Sequence, residues 1–201
     1  MELAVRHDLL IISDECYEAF TFDVPHVSPA RFDSDIPGEA RVFTSLTLSK
    51  TYGLTGLRIG ALICPPGLEP KMNNVMESIV SCVASPSQYA ALAALTGPPQ
   101  DYVSQARDHY RSNRDAASAV LAKKGIPFLA PGGGVLPVGR RLASERRGGC
   151  QGLVRAFLAE SGVSFAPGTA FGSIGEGWIR IALCGGQQDL LDGVSRLPAK
   201  V

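Results

Sequence analysis

Lys50 stands in surroundings unlike those of an ordinary lysine. A lysine alone is read as a solvated surface charge, because lysines are almost never fully buried. This one closes a strongly apolar run, Arg41-Val-Phe-Thr-Ser-Leu-Thr-Leu48, and opens a short segment holding Gly53 and Gly56, with Arg58 following at the head of another apolar run. In open α/β sheets the carboxyl ends of the strands are where ligands bind. The hydroxyls of Thr47 and Ser49 and the forked donors of Arg58 could together hold a phosphate. A lysine beside a bound phosphate is placed for imine chemistry.

Other phosphate loops fail on inspection. Thr51 follows Lys50 as in a Walker loop, but Thr44 and Ser49 stand where that loop needs glycine. Gly132 and Gly134 begin a dinucleotide fingerprint that Pro137 ends, and no lysine has the Tyr-x-x-x-Lys spacing of a short-chain dehydrogenase. The five cysteines, Cys16, Cys64, Cys82, Cys150 and Cys184, form no CxxC pair, so neither a disulfide framework nor a zinc site is suggested and burial as small apolar residues is expected.

The elements that must carry Lys50 are legible from the apolar pattern. Residues 1 to 8 read as the tail of a helix, and Leu9-Leu-Ile-Ile12 as a strand buried on both faces. Strands are expected at 41–48 and 58–64, and helices at 68–82 and 86–96, the second with Tyr89, Leu92, Ala93 and Thr96 on one face. A connecting helix is expected over 101–124, with Tyr102, Ala106, Tyr110, Ala117, Val120 and Leu121 as its stripe. A smaller unit follows: a helix near 151–161, a short strand, and a strand from Trp178 to Leu183. Strict alternation in the last places Ile179, Ile181 and Leu183 on one face and Arg180 on the other. The class is therefore α/β, read as a mostly parallel sheet with helices over 1–105 and a small α+β unit over 106–201.

Composition narrows the function classes. Of 201 residues, 45% are hydrophobic and 19% charged, enough apolar material for a core. Nineteen basic residues balance nineteen acidic ones, which leaves no global field for nucleic acid or an anionic membrane. No run approaches a membrane span and the amino terminus has no signal pattern, so no membrane partner and a cytoplasmic location are expected.

The string Ser45-Leu-Thr-Leu-Ser-Lys50-Thr-Tyr-Gly-Leu-Thr-Gly-Leu-Arg58-Ile-Gly60 resembles the cofactor-lysine motif of class I/II aminotransferases, fold type I enzymes dependent on pyridoxal 5'-phosphate. Ser13-Asp14-Glu15-Cys16-Tyr17-Glu18, Phe165-Ala-Pro-Gly168-Thr-Ala-Phe-Gly172 and Trp178-Ile-Arg180-Ile-Ala-Leu resemble further elements of that family. The resemblance spans residue 1 to about 195. It implies amino transfer between an amino acid and a 2-oxo acid. Lys50 would bond to the cofactor aldehyde and shuttle the proton. Asp14 would pair with the pyridine nitrogen, Tyr17 would bond the phenolic oxygen, and Thr47, Ser49 and Arg58 would hold the phosphate. Arg180 would bind the substrate α-carboxylate. Read without the family, Asp14 is a helix N-cap, Tyr17 a core tyrosine and Arg180 half of a structural salt bridge.

The resemblance further implies a homodimer, and an amino-terminal half carrying other cofactor contacts that would precede residue 1 or come from a complementing chain. A sheet without its earlier strands is then expected to expose an edge and an apolar face. The stretch 132–150 departs from the pattern, with Pro137 and Gly139 in an expected strand and two arginine pairs after it. It reads as a solvated loop or as the trace of a reading-frame disturbance. A β-eliminating or aminocyclopropane-carboxylate-synthase-like lyase of the same fold, or a non-catalytic subunit retaining part of the cofactor pocket, fits the same residues.

Overall fold

The structure, a computed structural model, describes residues 1–36, 38–97, 100–134, 136–139 and 148–198. The chain divides into two compact units, Met1–Gln105 and Ala106–Val201. The first is built on a three-stranded sheet in the order β1-β2-β3, with β1 at Ile11–Asp14, β2 at Val42–Thr47 and β3 at Gly60–Ile63. Its helices are α1 (Glu2–Arg6), the one-turn α2 (Leu48–Thr51), α3 (Glu69–Ile79) and α4 (Ser85–Thr96).

β1 begins later than the apolar run Leu9–Ile12 suggests, because the Leu9 amide is spent closing α1 on the Ala4 carbonyl and ladder bonding starts with Ile11 donating to the Arg41 carbonyl. The strand is not buried on both faces as expected. Ile11 and Ser13 are half-buried while Ile12 is 78% exposed, so the described residues cover β1 on one face and leave its other face open. β1 and β2 are parallel, with Asp14 opposite Ser45. β3 runs antiparallel to β2, which makes this sheet mixed rather than mostly parallel. The cause lies between them: the Leu48 amide donates to the Ile59 carbonyl, so the chain folds straight back beside β2 and no crossover helix is available to return it in parallel. Gly60, opposite Thr47, is needed for that return, since a Cβ there would lie 2.4 Å from the Leu46 carbonyl oxygen.

α3 and α4 form where the apolar spacing places them, but the expected α4 stripe faces outward, with Tyr89, Leu92, Ala93 and Thr96 all exposed and, of the helix's residues, only Ser87 and Ala91 buried. The exposed apolar set of this unit also includes Leu10, Leu62, Ile63 and Ile79.

Helix α5 (Gln100–Lys123) runs across the boundary between the units. The second unit holds the antiparallel sheet β4-β6-β5, with β4 at Leu136–Gly139, β5 at Ala166–Pro167 and β6 at Trp178–Ile181, together with α6 (Gly149–Ser161) and α7 (Gln187–Ser195). Pro137 and Gly139 do not prevent β4 from forming. β4 lies at the edge of its sheet, where a missing amide donor is tolerated. The arginine-rich stretch 140–147 lies outside the described residues.

The expected alternation in β6 is what the fold uses. Ile179, Ile181 and Leu183 are each at most 4% exposed and pack with Ala117, Leu121, Ile126, Val194 and Leu197, while Arg180 on the opposite face is only half-buried. Of the five cysteines, all free, only Cys150 is buried, and Cys82 and Cys184 are exposed, so the expectation of buried thiols holds for one. Leu121 is fully buried in the core of this unit, and Leu121→Ala is expected to cost about 2 to 5 kcal/mol of stability, read as a lower midpoint in urea unfolding followed by circular dichroism.

Candidate active site

Each predicted residue of the first unit sits at the carboxyl ends of β1 and β2. Thr47 ends β2 and caps α2, its Oγ1 accepting from the Ser49 amide at 3.2 Å and donating to Ser49 Oγ at 2.9 Å. A β-region threonine before a helical turn is an ordinary N-cap; the turn it starts is the one that carries Lys50. Ser49 and Thr51 are buried and Lys50 is exposed, so the turn sends its lysine outward and anchors itself with its neighbours. Among the described residues the Lys50 ammonium has no ion pair, and it stands 6.0 Å from the centroid of the Tyr17 ring.

Thr55 links the lysine turn to Arg58. Its Oγ1 donates to the Ser49 carbonyl at 2.9 Å, and its own carbonyl accepts from Arg58 Nη1 at 3.0 Å. Arg58 sits in the left-handed region, φ 49° and ψ 53°, a conformation that costs a non-glycine residue free energy and that clusters at functional sites. One of the five guanidinium donors is used on Thr55 and the side chain is otherwise open.

Asp14 ends β1. It does not cap an α-helix; its Oδ1 accepts from the Cys16 amide at 3.3 Å and the carboxylate is exposed. Burial, the charge of Asp14 and a hydrogen bond to Asp14 raise the Cys16 thiol above its ordinary value, opposed by the charge of Lys50, so both charges act on the same half-buried sulfur. Such a thiol is a poor nucleophile. Tyr17 is 37% exposed rather than a core residue. Asp14, Tyr17 and Lys50 thus share one edge of the sheet, and Thr47, Ser49 and Arg58 form the linked group beside it.

Glu15 and Asp33 do structural work that no local motif announces. Glu15 is 5% exposed; its carboxylate accepts from Ser28 Oγ at 2.6 Å and lies 2.7 Å from His26 Nε2. This pins the polar 23–39 excursion against the end of β1. Burial pushes the Glu15 carboxyl up, but hydrogen bonds from Ser28, His26 and Ser13 and the charge of His26 outweigh it and hold it below its ordinary value. Asp33 accepts from the Arg41 and Val42 amides and so starts β2. Its carboxyl is likewise low, burial being outweighed by the backbone donors of Arg41, Val42 and Ser34 and by the Arg41 charge. Glu15, Glu18 and His26 bring three possible metal-ligand atoms within 4.8 Å, but the Glu15 oxygens are already engaged.

In the second unit Arg180 has no hydrogen bond or ion pair among the described residues, and its guanidinium carbon lies 4.2 Å from the centroid of the Phe171 ring. The salt-bridge reading of Arg180 therefore has no partner among the described residues.

The family model for aminotransferase class I and II matches residues 1–196. A probable aspartate/prephenate aminotransferase of Aquifex aeolicus is 34% identical over 98% of this chain and 50% of its own length. An arginine–pyruvate transaminase of Pseudomonas aeruginosa is 35% identical over 98% of this chain and 49% of its own. The crystal structure of an aromatic aminotransferase from Pyrococcus horikoshii superposes with a TM-score of 0.84 at 30% identity, covering 97% of this chain and 52% of that one. The chain spans about half the length of the curated relatives it matches. No helix among the described residues is long and apolar enough to cross a membrane.

The two low carboxyls give the fold a pH dependence of fixed sign. Each is ionised more readily folded than unfolded, so each contributes stability that is fully present above its ordinary value, 4.5 for Glu15 and 3.8 for Asp33, and is lost as pH falls through its lower folded value. Urea midpoints measured from pH 7 downward are expected to fall through the acidic range, and the fall is expected to be shallower in a Glu15→Gln, Asp33→Asn double variant, which starts from a lower midpoint at pH 7.

Proposed function

The chain belongs to the class I and II aminotransferase family, and from that premise we propose that it binds pyridoxal 5'-phosphate through Lys50 and serves amino transfer between an amino acid and a 2-oxo acid. The observation that carries the reading is the Lys50 ammonium, without an ion pair among the described residues, at a strand end beside Tyr17. The chemistry of the donor set fits the cofactor. Lys50 offers an amine for its aldehyde, Asp14 a carboxylate for the pyridine nitrogen, and Tyr17 a hydroxyl for the phenolic oxygen. Thr47, Ser49 and Arg58 offer neutral and charged donors for the phosphate. When bound, the cofactor supplies an electron sink for negative charge at the substrate α-carbon.

The chain's own residues divide the remaining work. Lys50 takes and returns the proton at the α-carbon. Thr47 fixes the direction of Lys50 by capping its turn, and Thr55 fixes Arg58 relative to Ser49. Arg180 takes the substrate carboxylate bidentately through donors that no described residue occupies. The carboxylate is common to all amino acids, and the relatives above act on different ones by name, so the side-chain preference stays open within this reading. A homodimer and a cytoplasmic location belong to the same proposal, and the exposed apolar residues of the first unit support an assembly.

Adding pyridoxal phosphate to the purified chain is expected to give the visible absorption band of a lysine-bound cofactor, absent from Lys50→Ala. Amino transfer is expected to fall about 10²-fold to 10⁴-fold in that variant. Arg58→Ala is expected to weaken cofactor binding about 10-fold to 100-fold through loss of a charged hydrogen bond. A band that survives Lys50→Ala overturns the lysine assignment.

A further inference from the structure

We propose that Phe171 is the positioning residue for Arg180, a ring platform that holds the guanidinium plane so that its in-plane donors face an incoming carboxylate. The proposal rests on the reading of Arg180 as the carboxylate site and adds a role that reading does not contain. The guanidinium carbon lies over the Phe171 ring, 4.2 Å from its centroid, well within cation–π range. Its N–H donors lie in the guanidinium plane and stay available for bidentate bonding. An arginine on a strand otherwise samples many rotamers, and a carboxylate binding to it must order them. The stack removes part of that freedom before the ligand arrives.

The platform can do this because its own turn is locked to β6. Phe171 ends the turn Gly168–Phe171. Gly168 leaves no room to shift: a Cβ on it would stand 2.1 Å from the Gly175 carbonyl oxygen and 2.7 Å from the Trp178 carbonyl oxygen. The buried Cys150 thiol accepts from the Gly168 amide at 3.3 Å and donates to the Trp178 carbonyl at 2.8 Å. The turn bearing the ring is thereby fixed against the strand bearing the arginine, two residues from Arg180. Phe171 is 56% exposed and Arg180 only half-buried, so solvent reaches both members of the pair.

Titration of the full chain with pyruvate, followed on the arginine side-chain Nε–Hε resonances, tests the inference. The Arg180 resonance is identified by its disappearance in Arg180→Gln. In the unliganded chain it is expected to carry a ring-current shift that Phe171→Leu removes. Phe171→Leu is expected to weaken pyruvate binding about twofold to fivefold, and Phe171→Tyr to restore it. An Arg180 resonance without a ring-current shift in the unchanged chain overturns the platform, whether or not the leucine variant folds. Equal pyruvate affinity in Phe171→Leu and the unchanged chain, with affinity lost in Arg180→Gln, overturns the role of Phe171 and leaves the carboxylate site standing. Pyruvate binding unaffected by Arg180→Gln, or undetectable at millimolar pyruvate in the unchanged chain, overturns the carboxylate reading itself and the inference with it.

Discussion

The parallel register that sets Asp14 opposite Ser45 governs the candidate site. Residues on a strand alternate between faces, so a slip of one residue would send the Asp14 side chain to the opposite face of the sheet from the one it now shares with Ser45 and Thr47. Two carboxylates, the buried Glu15 and the half-buried Asp33, maintain this register from outside the strands. Asp33 takes the two backbone amides that begin β2, and Glu15 takes Ser28 and His26 just beyond the end of β1. For Glu15, itself buried, these partners are also what satisfies a carboxylate that would be costly to leave unpaired. The strand ends are thus held by charge-assisted hydrogen bonds, and the geometry of the candidate site inherits the acid sensitivity of those bonds.

The one-turn helix after β2 is the second determinant. Thr47 stops the strand and starts the turn in the same step, because its hydroxyl takes the amide that the ladder leaves unpaired. Gly60 then lets the returning strand pass close to the Leu46 carbonyl. Together they convert a strand end into a platform that presents the exposed Lys50, with the exposed Arg58 held nearby in a strained conformation by Thr55.

Much of this was legible because it depends on local chemistry. The apolar runs locate β2, β3, α3, α4, α5 and β6 to within a few residues, and the alternation in β6 by itself separates its buried isoleucines from Arg180. Other features depend on tertiary partners and left no local trace. Nothing in the apolar run at 58–64 distinguishes an antiparallel return from a parallel one; the Leu48 to Ile59 bond decides it. Glu15 reads as any solvated acid until Ser28 and His26 arrive from a polar excursion with no periodicity. Phe171 stands in a recognisable string, yet its stacking on Arg180 depends on a turn locked by Gly168, Gly175 and Cys150, which only close packing reveals. Leu9 was read into a strand because apolar character does not show that its amide is already taken by α1.

The two units differ in what holds them. In the second, a cluster of eight buried residues closes around β6, and Arg180 is presented from the back of a well-filled core. In the first, the buried apolar side chains are Ala4, Phe20, Phe22, Ala40, Val42, Leu48 and Ala91, four of them the size of valine or smaller, while Ile12, Ile79, Leu92 and Leu95 are each more than half exposed. Apolar burial is the main favourable term in folding, so the unit carrying Lys50 draws proportionally more of its order from polar anchors. Cofactor contacts would add to that set. A phosphate held by Thr47, Ser49 and Arg58 and an aldehyde bonded to Lys50 would cross-link the α2 turn to the segment that leads into β3, and binding to the folded form alone stabilises it by mass action. On the proposed reading the cofactor would be a structural partner of the first unit as well as a chemical one, whereas the second unit, whose core is already closed, would have far less to gain from it.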